Sequence, residues 1–199
     1  MIINFAEHSA NSTYHLLTQL IIPRPIAWVL TRNSEDAGEP YNVAPFSYFN
    51  AVASAPPLLM LSCAPKPDGQ LKDTAVNILR DKQFVVHIPS QNQLASVQET
   101  AAPLPYGQSE LTGSNLSTTG FAGSNLPRIA RCPVAFNCQL YRTEVIGDAP
   151  QTLIFGEITA AYITDTAVNR DGKRLTIDSQ QLSPLARLGA GRFAATLLM

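Results

Sequence analysis

The stretch SCAPKPDGQLKDT, Ser62 to Thr74, holds the residues whose types and spacing best suit chemistry. An apolar run leaves through a Gly/Pro-bearing loop with Lys66 and Lys72, then feeds KDTAVNILRD, where Asp73 suits a helix N-cap. The first N–H groups of a helix lack intrahelical partners and carry the positive end of its dipole, so they favour a phosphate or carboxylate. Lys72 adds a full charge there, and the hydroxyls of Ser62 and Thr74 can donate hydrogen bonds. The same residues also read as a capped surface helix with two solvated lysines, and both readings stand.

A second stretch, YNVAPFSYFNAV from Tyr41 to Val52, is uncharged and aromatic-rich, with Pro45 in its middle. Proline removes a ladder donor, so neighbouring main-chain groups need partners elsewhere. A flat heteroaromatic ring with amide-like edges would suit those groups, with Phe46, Tyr48 and Phe49 near its faces. An ordinary β-bulge with core aromatics fits as well.

Other chemistries find no support. His8, His15 and His87 are scattered and lack metal-ligand spacing. There is no GxSxG elbow, GxGxxG or GxxxxGK[ST], so no catalytic side chain and no Rossmann or P-loop site is assigned. Cys63, Cys132 and Cys138 form neither a CxxC motif nor a disulfide framework, and they read as buried thiols of a reducing cytoplasm. A net charge of -1 without a basic run argues against nucleic acid or anionic lipid as a partner. No apolar run approaches the ~18 residues of a membrane span, and the N-terminus lacks the layout of a secretory signal.

The elements that must position these stretches are mostly strands. The chain of 199 residues, with 45% hydrophobic and 15% charged residues, reads as one globular domain over 1–199. Ser12 is placed to cap a helix through TYHLLTQL, which Pro23 and Pro25 stop. RPIAWVLTR, YNVA, PLLMLSC and QFVVHIPS read as strands, and KDTAVNILRD and NQLASVQET as helices. RCPVAFNCQLYRTEVI and QTLIFGEITAAYIT form a long hairpin across GDAP. Residues 102–127 form a long Gly/Pro/Ser-rich excursion of the kind that makes lids and binding loops. NRDGKRL is a polar turn, and LARLGAGRFAATLL is strand or helix. The predicted class is mainly β, a barrel with a few short helices.

In order along the chain, YHLLTQLIIPRPIAWVLTR, NVAPFSYFNAV, PPLLMLSC, KDTAVNI, QFVVHIPS, IFGEITAAYI and LSPLARLGAGRFA resemble the flavin reductase-like family. That resemblance implies the FMN-binding split β-barrel and an FMN-dependent oxidoreductase that transfers electrons from NADH or NADPH through flavin N5 to a small-molecule substrate or acceptor. By carry-over, Asn42, Val43 and Ala44 meet the polar edge of the ring, Ser47 hydrogen-bonds nearby, and Thr31 and Trp28 lie beside it. Ser62, Lys66, Lys72, Asp73 and Thr74 surround the ribityl chain and phosphate. The resemblance also implies a homodimer. A non-enzymatic FMN-binding electron-transfer protein is the alternative. Phe193 follows the Arg187–Arg192 turn where the family often has a tyrosine, and residues 102–125 match poorly, so the acceptor is not inherited.

Overall fold

The computed structural model describes residues 1–170 and 174–195. The strands of the two main sheets are β1 (Arg24–Pro25), β2 (Ala27–Arg32), β3 (Tyr41–Phe46), β4 (Phe49–Ser54), β5 (Pro57–Cys63), β6 (Gln83–Ile88), β7 (Val134–Ile146), β8 (Gln151–Ile163), β9 (Leu185–Arg187) and β10 (Phe193–Ala195). Seven of them make one antiparallel sheet in the order β3-β2-β6-β7-β8-β5-β4. Its two edge strands, β3 and β4, follow each other in sequence across Ser47-Tyr48, and the Ser62 N–H bonds the Tyr48 carbonyl at 2.9 Å. The sheet therefore curls back on itself. The long hairpin spans β7 and β8 as expected, with register shifts at Phe155/Gly156 and Ile158/Ala160 that bend it.

Alternation along β2 explains where the core sits. Trp28 and Leu30 enter one buried cluster with Val43, Val85, Phe121 and Leu126, while Ala27 and Val29 enter another with Leu59, Leu61, Ile78 and Phe84. The 102–127 excursion thus supplies core residues as well as surface loop. His87, on the first face, is fully buried, and both ring nitrogens are used: Nδ1 lies 2.9 Å from the Trp28 carbonyl and Nε2 accepts the Ile129 N–H at 2.9 Å. That pattern assigns the neutral tautomer with the proton on Nδ1. Burial holds its pKa down at about 4, against the Trp28 carbonyl that favours the charged form.

Helix α1 (Ala10–Leu20) is capped by Ser9, whose side chain accepts from the Ser12 N–H, so the cap lies three residues before Ser12. Helix α2 (Asp73–Asp81) starts after Lys72, which occupies the cap position without a capping bond, so Asp73 is its first residue and not its cap. Both shifts arise because caps are set by where the preceding chain turns extended. Helix α3 (Leu94–Glu99) confirms the expected short helix. The tail resolves to strand, β9 pairing with β1 and β10, while part of the NRDGKRL turn and the end of the tail lie outside the described residues. No helix is long and apolar enough to cross a membrane, and no metal-binding cluster occurs, among the described residues. All three cysteines are buried and free, and burial pushes the Cys63 thiol up to about 12.

Candidate functional site

Edge strand β3, the 64–72 loop with the start of α2, and the segment from Thr100 to Glu110 enclose a cavity of about 520 Å3. That volume is in the range of small-molecule and cofactor sites. Three features decide what it suits.

The first is main-chain. In α2 the Val76 N–H closes onto the Lys72 carbonyl at 3.0 Å, so the N–H groups of Asp73, Thr74 and Ala75 precede the first intrahelical bond. With no side-chain cap from Lys72, they are left for an anion. Lys72 is exposed, and its ammonium lies 5.6 Å from the Phe46 ring centroid. Lys66 Nζ lies 2.5 Å from Asp73 Oδ1, yet this oxygen has no hydrogen-bond partner, so the contact is an ion pair of poor hydrogen-bond geometry. Lys66 is thereby largely neutralised, and Lys72 with the helix terminus carries the local positive field.

The second is a polar seam that seats α2. Thr31 and Asn42 are cross-strand partners on β2 and β3. The Asn42 side-chain amide donates to Thr74 Oγ1 at 2.9 Å, and the Asn77 amide donates to Thr31 Oγ1 and Asn33 Oδ1, each at 3.0 Å. Arg80 extends the seam, donating to Asn77 Oδ1 at 3.2 Å and to the Arg32 carbonyl at 2.6 Å. Buried amides and hydroxyls are costly unless paired, so this pairing holds the helix start in one place.

The third is the edge strand. Antiparallel pairing makes alternate N–H groups of β3 point away from β2. The Val43 N–H points away, because it donates to Glu110 Oε2 at 2.8 Å. Pro45 shares that orientation and has no N–H, which is why a proline is tolerated at this edge. Burial pushes the Glu110 carboxyl above its usual range; the Val43 N–H opposes this, and Asp73 and Glu39 add to it. Glu39 binds the Ser109 N–H and Thr112 hydroxyl on either side of Glu110 and so pins this part of the loop.

Of the eleven residues named from sequence, Asn42, Ala44, Lys66, Lys72, Asp73 and Thr74 line the cavity. Thr31 lies behind its wall in the seam, and Val43 is buried, meeting the site through its backbone. Trp28 is fully buried in the core; its indole N–H donates to Thr100 Oγ1 at 2.9 Å, and Thr100 lines the cavity. Ser47 and Ser62 are half-buried outside the lining; Ser47 Oγ accepts from Arg24 Nε at 3.4 Å, and Ser62 Oγ lies 3.5 Å from Gln151 Oε1. Sequence reasoning missed Asn77, Thr100 and Glu110. Asn77 carried a signal, since a polar residue on the inward side of an apolar helix face demands a partner. Glu110 carried none, standing in a stretch without regular pattern.

A curled antiparallel sheet, with an uncapped helix start and an edge strand opening into one cavity, defines a mainly β protein with a few short helices. The comparisons with known proteins narrow that class. The family described as flavin reductase like domain matches residues 19–180, and the chain belongs to it. An uncharacterised protein of Bacillus subtilis, YwrF, is 35% identical over 190 residues, covering 94% of this chain and 90% of its own. The structure of nitrilotriacetate monooxygenase component B from Bacillus cereus superposes with TM-score 0.91 at 32% identity, covering 100% of this chain and 96% of that one. A Shewanella frigidimarina NCIMB 400 structure with a split barrel domain superposes at TM-score 0.83 and 17% identity, covering 100% and 96%, a likeness of fold alone. The fold is the split barrel of flavin reductases, and family and neighbours make the chain a flavoprotein of the oxidoreductase type.

Proposed function

We propose that the chain binds FMN and acts as a flavin reductase-type enzyme, taking electrons from NADH or NADPH and passing them to a small-molecule acceptor. One observation carries the reading: the uncapped start of α2, with Lys72 beside it, opens into the same cavity as edge strand β3. The phosphate belongs at the Asp73, Thr74 and Ala75 N–H groups and Lys72, where dipole and charge favour a dianion. The ring belongs along Asn42 to Phe46, beside the segment from Thr100 to Leu104. When bound, the flavin supplies the two-electron redox chemistry, and the protein places it and tunes its surroundings. Hydride transfer asks no side chain to serve as acid or base, so the ionisable lining residues Lys66, Asp68, Lys72, Asp73 and Glu110 are assigned to binding and to shaping the cavity. The likeness to a monooxygenase component B supports an oxygenase partner, or free flavin, as a receiver of the electrons.

A homodimer fits the exposed apolar residues Leu20, Ile21 and Ile22 and the exposed edge-strand residue Val52. Three free cysteines fit a reducing cytoplasm. The deciding experiment titrates the purified protein with FMN and, in parallel, FAD, then adds NADH or NADPH without oxygen. Tighter FMN than FAD binding and bleaching at a catalytic rate are expected. A flavin-loaded protein indifferent to both nucleotides would be an electron carrier, and a protein that takes up neither flavin ends the proposal.

A further inference from the structure

A second positive corner lies away from α2 and has no assigned role. Arg24 on β1 and Arg187 on β9 are direct cross-strand partners, so their side chains leave the same face of that small sheet. Arg24 is only 6% exposed. Its guanidinium donates to the Thr18 and Ile21 carbonyls, the latter at 2.7 Å, and to Ser47 Oγ at 3.4 Å. Arg187 is half-buried, with its guanidinium carbon 4.3 Å from the Phe193 ring centroid. Tyr14 and Tyr48 pair with ring centroids 6.2 Å apart, Tyr14 within electrostatic reach of Arg187 and Tyr48 within that of Arg24.

Like charges directly opposed on paired strands destabilise the pairing, and a buried charge calls for a counter-charge. Among the described residues no carboxylate forms an ion pair with either arginine. The carbonyls at the end of α1 offset part of the Arg24 charge, and among the described residues no comparable acceptor is bonded to Arg187. Its pKa is lowered, first by burial and also by Arg24, against the phenol of Tyr14. The corner is closely packed. A side chain at Gly189 would run into the Gln19 and Thr18 backbone at 2.8 and 2.9 Å, so α1 packs directly on the turn that follows Arg187. Ser47, which Arg24 touches, follows Phe46, which lines the cavity beside β3, so this corner and that cavity are joined through one short stretch of chain.

We infer that Arg187, backed by Arg24 and flanked by Tyr14 and Tyr48, forms an oxyanion site for a carboxylate or phosphate of the second reactant. A guanidinium fork suits either group, and phenol hydroxyls add donors. Assigning the anion to the second reactant rests on the flavin-enzyme reading. The anion site itself does not.

The test follows thermal unfolding of the flavin-free protein with sodium pyrophosphate or sodium benzoate, at ionic strength matched with KCl. Wild type is expected to be stabilised by at least one of them in a saturable way. R187Q should weaken the apparent Kd about tenfold, as loss of a charge-assisted pair predicts, and R187K should fall between, keeping charge but losing the fork. Tighter pyrophosphate binding points to the phosphates of a nicotinamide donor, and tighter benzoate binding to a carboxylate acceptor; either supports the site. No saturable effect in wild type, or equal Kd values in wild type and R187Q, overturns it. In the flavin-loaded enzyme R187Q should raise KM for the anionic reactant about tenfold and leave FMN affinity unchanged; an unchanged KM overturns the assignment to the second reactant. Wild type that refuses flavin yet holds the anion through Arg187 would sink the cofactor reading and keep the site, and the reverse result would do the opposite.

Discussion

The two faces of strand β2 solve opposite problems. On the Trp28 and Leu30 face, the 102–127 excursion folds over the strands and places Phe121 and Leu126 in the core. Its buried polar groups are closed off: the Trp28 indole N–H meets Thr100, and both His87 nitrogens are engaged. On the Ala27 and Val29 face, α2 packs through Ala75 and Ile78, and one residue pair further the apolar core gives way to the Thr31, Asn42 and Thr74 seam. Beyond the seam the N–H groups at the α2 start are left open. One face completes its polar bonds within the chain; the other stops short at the α2 start, which is why the proposed phosphate position lies there.

The largest expected effect tests the closed face. His87 has a folded pKa lowered to about 4, against an ordinary 6.5, so the unfolded chain binds its proton first. The stability that comes from keeping this ring neutral is complete above pH 6.5 and is lost as pH falls from there towards 4, by on the order of 3 kcal/mol. Urea melts between pH 7 and pH 4 read the loss. An NMR titration placing the folded His87 ring near 6.5 would break the contrast between the faces.

On the opposite face, Gly156 lies over the Phe84 ring, and a Cβ there would come within 2.4 Å of Phe84 Cζ. Phe84 is fully buried in the core and has little room to yield. Gly156→Ala should therefore cost about 2 kcal/mol of overpacking, measured as a lower denaturant midpoint; an unchanged midpoint means this core yields more freely than its burial indicates. The smallest effect concerns the open end itself. Lys72→Glu should weaken FMN binding at least tenfold, or more than ~1.4 kcal/mol, by placing a repulsive charge at the phosphate. Stability should change little, since Lys72 is exposed and caps nothing. Unchanged affinity in a flavin titration would put the phosphate elsewhere.

Much of the fold was legible because its signals are local. The alternating run from Val134 to Ile146, the turn GDAP and the run from Gln151 to Ile163 specify a hairpin with no outside help. The apolar run PLLMLSC and the helix KDTAVNILRD were legible for the same reason. The helix starts were misplaced because Ser9 and Lys72 take the cap positions through the path of the preceding chain. The strand-to-helix passage into α2 was legible, since Lys72 and the loop before the helix are adjacent in sequence.

What the chain by itself determined, then, is most of its strands and its short helices, each written in a local run of residues. Only the tertiary structure decided that Glu110 takes the Val43 N–H, that Lys66 is engaged by Asp73, that Trp28 faces the core, and that Arg24 stands opposite Arg187. These contacts join residues that periodicity cannot relate. Hydrogen bonds and charge pairs are settled by distances of a few ångströms, which arise only when the curled sheet brings its distant segments together.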